Sequence, residues 1–187
     1  DSHFADGRHG ELRMDDLTSA ATLHLSATLA VDAQEMLVQV QIRNVGAGHS
    51  LPTGSSELQK LWLALTISDA SGRQLFTTGD VDEYGDPLAG SISFGVAWLD
   101  ADGRPTERLW EAASVARDNR IPAGGSVTEM FRMKLPVDAI GPLQVRAFLQ
   151  RRATSGYLTS LMSIYLQEEI PQPETIELAR AELIVAK

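Results

Sequence analysis

The chain contains no cysteine. That removes disulfides, zinc–thiolate sites, iron–sulfur clusters and thiol nucleophiles. It also excludes covalent attachment of a haem to these 187 residues, because attachment uses the thiols of a Cys-x-x-Cys-His motif. No apolar run approaches the roughly eighteen residues of a membrane span. Positive charge is in deficit, with 16 Lys and Arg against 25 Asp and Glu and a net charge of -9. Nucleic-acid backbones and anionic membranes repel such a surface, so neither is an expected partner. No Met opens the chain, which starts at Asp1. We therefore expect that a signal peptide, a tag or a larger N-terminal region has been removed.

What is present is ordinary for a globular protein: 43% hydrophobic and 22% charged residues, enough to bury one core. Residues 1–20 are polar, hold His3 and His9, and read as an N-terminal arm with a short helix around Leu12 to Leu17, contacting a partner or an upstream region. Residues 21–187 read as the domain proper. From Ala21 the hydrophobic period is two. Leu23, Leu25, Ala27, Leu29 and Val31 alternate with His24, Ser26, Thr28 and Ala30, and Met36, Val38, Val40 and Ile42 with Leu37, Gln39, Gln41 and Arg43. Asp32-Ala33-Gln34-Glu35 joins them as a hairpin.

Further strands are expected at Leu61 to Ile67, Gln74 to Thr78, Ile92 to Leu99, Val127 to Met133, Leu143 to Leu149 and Ala179 to Val185. Glu129 falls on the apolar phase of its strand and weakens that pattern. Leu158, Leu161, Met162 and Tyr165 have helical spacing. Asp- and Gly-containing turns separate the strands, with no regular interposed helices. This pattern predicts an all-β fold: an antiparallel two-sheet, immunoglobulin-like sandwich with an irregular N-terminal arm and one or two short helices.

The most distinctive segment is Asn44-Val45-Gly46-Ala47-Gly48-His49-Ser50-Leu51-Pro52-Thr53-Gly54. It leaves a strand, turns on three glycines and is stiffened by Pro52. It presents one imidazole, suited to a metal ligand or a proton-transfer group. The plain alternative is a tight connection whose histidine bonds only backbone. His24 lies on a polar strand phase and His9 in the arm, so both are expected to be solvated. Asp80, Asp82, Glu83 and Asp86, and then Asp100-Ala101-Asp102-Gly103, offer oxygen ligands for calcium but lack EF-hand spacing. Turn chemistry explains them better. No nucleophile–base pair stands in an enzyme-like context, and Ser50, Thr53 and Ser55 near His49 lack a Gly-x-Ser-x-Gly elbow. The chain is not expected to be an enzyme.

The segment from Asn44 to Gly54 resembles the Asn-x-Gly-Ala-Gly-His-x-x-Pro-Thr-Gly stretch in the C-terminal β domain of some multihaem c-type cytochromes. Ser2-His3-Phe4-x-x-Gly7, Asp69-Ala70-x-Gly72, Gly79, Ala147-Phe148-Leu149-x-x-Arg152 and Ile170-Pro171 fit the same pattern with less specificity. In that family the haems lie N-terminal to this domain, on attachment motifs that this chain lacks. The resemblance implies haem c held covalently by another chain or by a missing region. It implies a multihaem cytochrome c partner and a periplasmic or cell-surface location. It also implies that His49 and His3 are distal ligands to haem iron, with Gly48 and Pro52 shaping the contact. The alternative is a secreted or cell-surface recognition sandwich that binds carbohydrate or protein through Trp62, Trp98 or Trp110. A calcium-stabilised structural module ranks third.

Overall fold

The computed structural model describes residues 19–32, 34–54, 58–106 and 108–187. Antiparallel sheet is the dominant structure of the described residues, as the period-two pattern requires. β1 (Ala21–Leu29) and β2 (Glu35–Asn44) form the first hairpin, in register from Ala21 opposite Asn44 to Leu29 opposite Met36. β2 then pairs with β9 (Ser126–Lys134), giving a three-stranded sheet ordered β1-β2-β9. Val31, the last residue of the alternating run, lies beyond the end of β1 and is fully exposed in the turn.

The second sheet is ordered β11-β10-β3-β4 and comprises β11 (Thr175–Val185), β10 (Leu143–Arg152), β3 (Lys60–Ser68) and β4 (Gln74–Thr78). The two-residue β5 (Ile92–Ser93) adds to β3. A third, small sheet is ordered β7-β6-β8, from β6 (Val96–Leu99), β7 (Pro105–Thr106) and β8 (Ser114–Asp118). The single strand expected from Ile92 to Leu99 is therefore two strands in different sheets. They part at Gly95, whose amide donates to the side-chain oxygen of Asn119 at 3.1 Å. Phe94 turns into the core at the same point.

The core lies between the two large sheets. Met36, Val38, Val40 and Ile42 of β2 face Leu61, Leu63, Leu65 and Ile67 of β3 and Leu143, Val145, Ala147 and Leu149 of β10, all buried. These are the alternating residues of the sequence pattern, one phase per strand. Phe76 of β4 and Phe131 of β9 meet edge to face at 6.2 Å, tying the sheets together at that side. Trp62, on the opposite phase of β3, is fully buried too, and its indole N–H donates to the Gly79 carbonyl at 3.1 Å. At Trp62, β3 is thus covered on its second face as well, while Ala64, Thr66 and Ser68 of that phase are half-buried. The expected helix is α1 (Gly156–Leu166), capped by Ser155. Leu109–Glu111 adds one turn of 3-10 helix. The arm helix expected near Leu12 to Leu17 lies outside the described residues.

Candidate functional site

The loop at residues 44–54 is organised by its first residue. Asn44 ends β2 and is 1% exposed. Its side-chain amide donates to the carbonyl of His49 at 2.7 Å and to that of Ile121 at 3.2 Å. Its side-chain oxygen accepts from the amide of Ala47 at 3.2 Å. One buried carboxamide therefore uses both donors and its acceptor to close the loop on itself and onto residue 121. An aspartate has no N–H to give either carbonyl. The sequence marked Asn44 as the start of a motif, but its role as a clamp became visible only with Ile121 beside it, 77 positions away.

Two further anchors flank the histidine. The carbonyl of Ala20 accepts from Val45 and Gly46, at 3.0 and 3.2 Å. Leu51 and Ile121 exchange a pair of backbone bonds, both 2.8 Å, as an antiparallel bridge. Gly46 is glycine because a Cβ there would stand 2.6 Å from the Ser19 carbonyl oxygen. Gly48 has φ +57°, a left-handed conformation that side chains resist, and open space where a Cβ would be. Pro52 is buried behind the loop and follows a cis peptide bond. The glycines thus divide. Gly46 serves close packing on residues 19–20, and Gly48 serves the turn beside His49.

His49 stands exposed between these anchors, with Nδ1 3.1 Å from the carbonyl oxygen of Ser50. A carbonyl only accepts, so the bond forms in the tautomer that carries the proton on Nδ1, and in that neutral tautomer Nε2 keeps its lone pair. That is the arrangement of a metal-ligating histidine, whose second ring nitrogen donates to a carbonyl or carboxylate. Among the described residues no group of three or more His, Asp or Glu side chains could hold a metal ion. The imidazole can offer one nitrogen to a metal ion or accept one proton. His24 is exposed on β1, opposite Gln41. His3 and His9 lie outside the described residues.

The acidic loops are turns and caps. Asp82 accepts from the amides of Tyr84 and Asp86, at 2.9 and 3.0 Å. Asp100 accepts from those of Asp102 and Arg104, at 2.9 and 2.8 Å. Asp86 is buried at the start of α1. Burial pushes its pKa up, but the Ser155 hydroxyl and the amides of Gly156 and Tyr157 more than offset this and hold the carboxyl below its usual range. Arg152 lies 3.6 Å away, both side chains nearly buried, and its guanidinium also donates to the carbonyls of Tyr84 and Pro173.

The tryptophans do not form one platform. Trp62 is interior. Trp98 is half-buried beside a cavity of about 290 Å³ that Lys60 and Arg117 also line. Trp110 is 83% exposed, at a separate cleft of about 590 Å³.

No protein-family model matches this chain, and no curated protein matches it. Among solved structures there is a likeness. The chain shares its fold with part of a penta-heme cytochrome c552. That protein comes from Thermochromatium tepidum; the TM-score is 0.67 at 22% identity, covering 92% of this chain and 41% of that one. This chain therefore spans about two fifths of that cytochrome's length. At this identity the likeness is one of fold, and it is consistent with a fold related to multihaem cytochromes. A second solved structure, a target of the Northeast Structural Genomics Consortium, overlaps at a TM-score of 0.35 and 10% identity and carries no argument.

Proposed function

We propose that this chain is a haem-free β-sandwich subunit or domain of a multihaem cytochrome c electron-transfer complex, and that His49 supplies a distal ligand to one of its haems. The observation that carries the reading is the imidazole itself. It is exposed on a clamped loop, with Nδ1 bonded to the Ser50 carbonyl in the tautomer that leaves Nε2 its lone pair. The shared fold with part of a penta-heme cytochrome supports the class of partner.

In this reading the haem supplies the one-electron couple, with axial ligand and burial setting its potential. The chain's own residues do the rest. Ser50 favours that tautomer and makes Nε2 a stronger donor. Asn44, bonded to the His49 carbonyl, keeps the loop from swinging. Gly48 puts no side chain beside the imidazole, and Pro52 backs the turn. His3 remains a candidate for a second ligand. The chain's part is ligation and shielding from water rather than catalysis. Because c-type haem is attached outside the cytoplasm, the reading implies the periplasm or the cell surface.

The test is His49→Ala in the assembled complex. One haem is expected to lose its low-spin, two-histidine signature while the others keep theirs. An unchanged low-spin spectrum removes the ligand claim. The second reading, a recognition sandwich that binds carbohydrate or protein, draws on the exposure of Trp110. Glycan-array binding that Trp110→Ala abolishes would favour it. The burial of Trp62 counts against a broad aromatic platform.

A further inference from the structure

The 290 Å³ cavity beside the small third sheet is lined by two cations, Lys60 and Arg117, and by no carboxylate among the described residues. That runs against a chain with 25 Asp and Glu and only 16 Lys and Arg. One wall, Ser93 to Gly95, is pinned. The Asn119 carboxamide donates to the Ser93 carbonyl at 2.8 Å and accepts from the Gly95 amide at 3.1 Å. The Phe94 amide donates to the Leu61 carbonyl at 2.8 Å. Strand register supplies the other walls. Arg117 of β8 stands opposite Ala97 of β6, and Thr106 of β7 opposite Trp98. An irregularity between Ala97 and Trp98 breaks the ladder there, and a bulge re-aims the side chains beside it. Trp98 carries the second observation. Its indole N–H is buried with no hydrogen-bond acceptor among the described residues, whereas that of Trp62 is paired. Buried donors in native proteins are ordinarily satisfied, so one left over in a cavity wall with two cations marks a place for an acceptor. Arg117 is exposed, and the adjacent Asp118 pairs with Arg120 instead.

We infer that this cavity is a binding site for a small organic monocarboxylate, with Arg117, Lys60 and the Trp98 indole N–H as its donors. Guanidinium, ammonium and indole donate hydrogen bonds and accept none, so the group they converge on is an acceptor. Two of the three are cations, which makes that acceptor an anion. A guanidinium meets a carboxylate with two parallel N–H bonds, a match of shape as well as charge. The remaining wall is largely apolar, with Phe94, Val96, Pro105 and the Trp98 ring. Such a wall suits a flat hydrocarbon body better than a hydrated inorganic oxyanion. The volume lies at the lower edge of small-molecule sites, about 300–1,000 Å³, so that body is about the size of one ring. The overall charge of -9 opposes the approach of an anion, so the affinity comes from these local donors. The function proposed above makes no use of this cavity, and the inference does not depend on it.

The experiment is a benzoate titration of the full 187-residue chain, followed by nitrogen–proton correlation NMR of the 3 tryptophan indoles. Trp98→Phe assigns the Trp98 signal by removing it. The expected result is a saturating downfield shift of that signal while the Trp62 signal stays in place. Arg117→Gln, at an exposed site, is expected to raise the benzoate Kd at least tenfold, the loss of one charge-assisted hydrogen bond, with the rest of the spectrum unchanged. Benzyl alcohol, the same ring without the charge, is expected to leave the Trp98 signal where it is. A Trp98 signal that benzoate does not move overturns the inference. So does an Arg117→Gln chain that binds benzoate as tightly as wild type. An equal shift with benzyl alcohol overturns the anion, and an equal shift with sulfate at matched ionic strength overturns the organic carboxylate.

Discussion

At the scale of single residues, Asn44 and His49 divide the labour of the loop. Asn44 holds the backbone and His49 presents the chemistry. Asn44→Ala leaves the carbonyls of His49 and Ile121 without their side-chain donor. Loss of a buried partner of this kind costs about 1–3 kcal/mol. The expected outcome in thermal melts is a lower Tm than wild type, and in the assembled complex a broadened haem spectrum rather than a lost one. His49→Ala is expected to do the reverse, leaving Tm nearly unchanged because the side chain is exposed. A loop that tolerated Asn44→Ala in both measurements would show that the clamp is dispensable. The sequence made His49 legible as a lone imidazole among glycines. The partner of its second nitrogen was not legible, because a backbone carbonyl leaves no trace in side-chain identity.

At the scale of elements, hydrophobic period two located β1, β2, β3 and β10 because each buries one continuous phase, and it located β11 only from Ala179, since an irregularity at Leu178 shifts that strand's phase. It failed where that rule was broken locally. Gly95 splits one expected strand into β5 and β6. Glu129 sits on the inward phase of β9, where burial pushes its pKa up, so it weakened the pattern of a strand that was expected and does form. Glu129→Val is expected to stabilise the domain by about 1 kcal/mol, the span of strand propensity, as read by urea melts at pH 7. A destabilised variant would mean that Glu129 has a partner that matters. The helical spacing of residues 158–165 gave α1 but not its orientation, since spacing alone does not say which face meets the core. Asp86→Ala removes the carboxylate that receives the first amides of α1 and leaves Arg152 buried without its counter-charge. Breaking one side of a buried pair costs about 3 kcal/mol or more, so this variant is expected to lose helical signal and melt well below wild type. A melt within one degree of wild type would show that α1 does not depend on the cap.

At the scale of the molecule, acid stability follows from the carboxylates that folding perturbs. The Ser71 hydroxyl, with the amides of Arg73 and Ser71, lowers Asp69 to about 2 from an ordinary value of 3.8, against an opposing push from burial. Asp86 is lowered as well. The native state therefore resists protonating them. Their contribution is complete above the ordinary carboxylate range and is lost as pH falls from about 4 toward 2. Glu129 has the opposite sign: its raised pKa lets the native state take up a proton first, so stability from this group rises as pH falls through its folded value. Urea melts between pH 7 and pH 3 are expected to fall steeply only below about pH 4 in wild type. Asp69→Asn is expected to flatten that acid limb. A limb unchanged in the variant would remove Asp69 from the account.

The fold class was legible from the periodicity of the long strands, whereas the partner is not a property of this chain's residues alone. The most direct measurement is the visible absorption spectrum of the protein isolated from its source, with a haem stain of the denaturing gel beside it. The account predicts a sharp reduced α-band, with the stain on a band or region other than these cysteine-free residues. Intact native material with no haem absorption would contradict it.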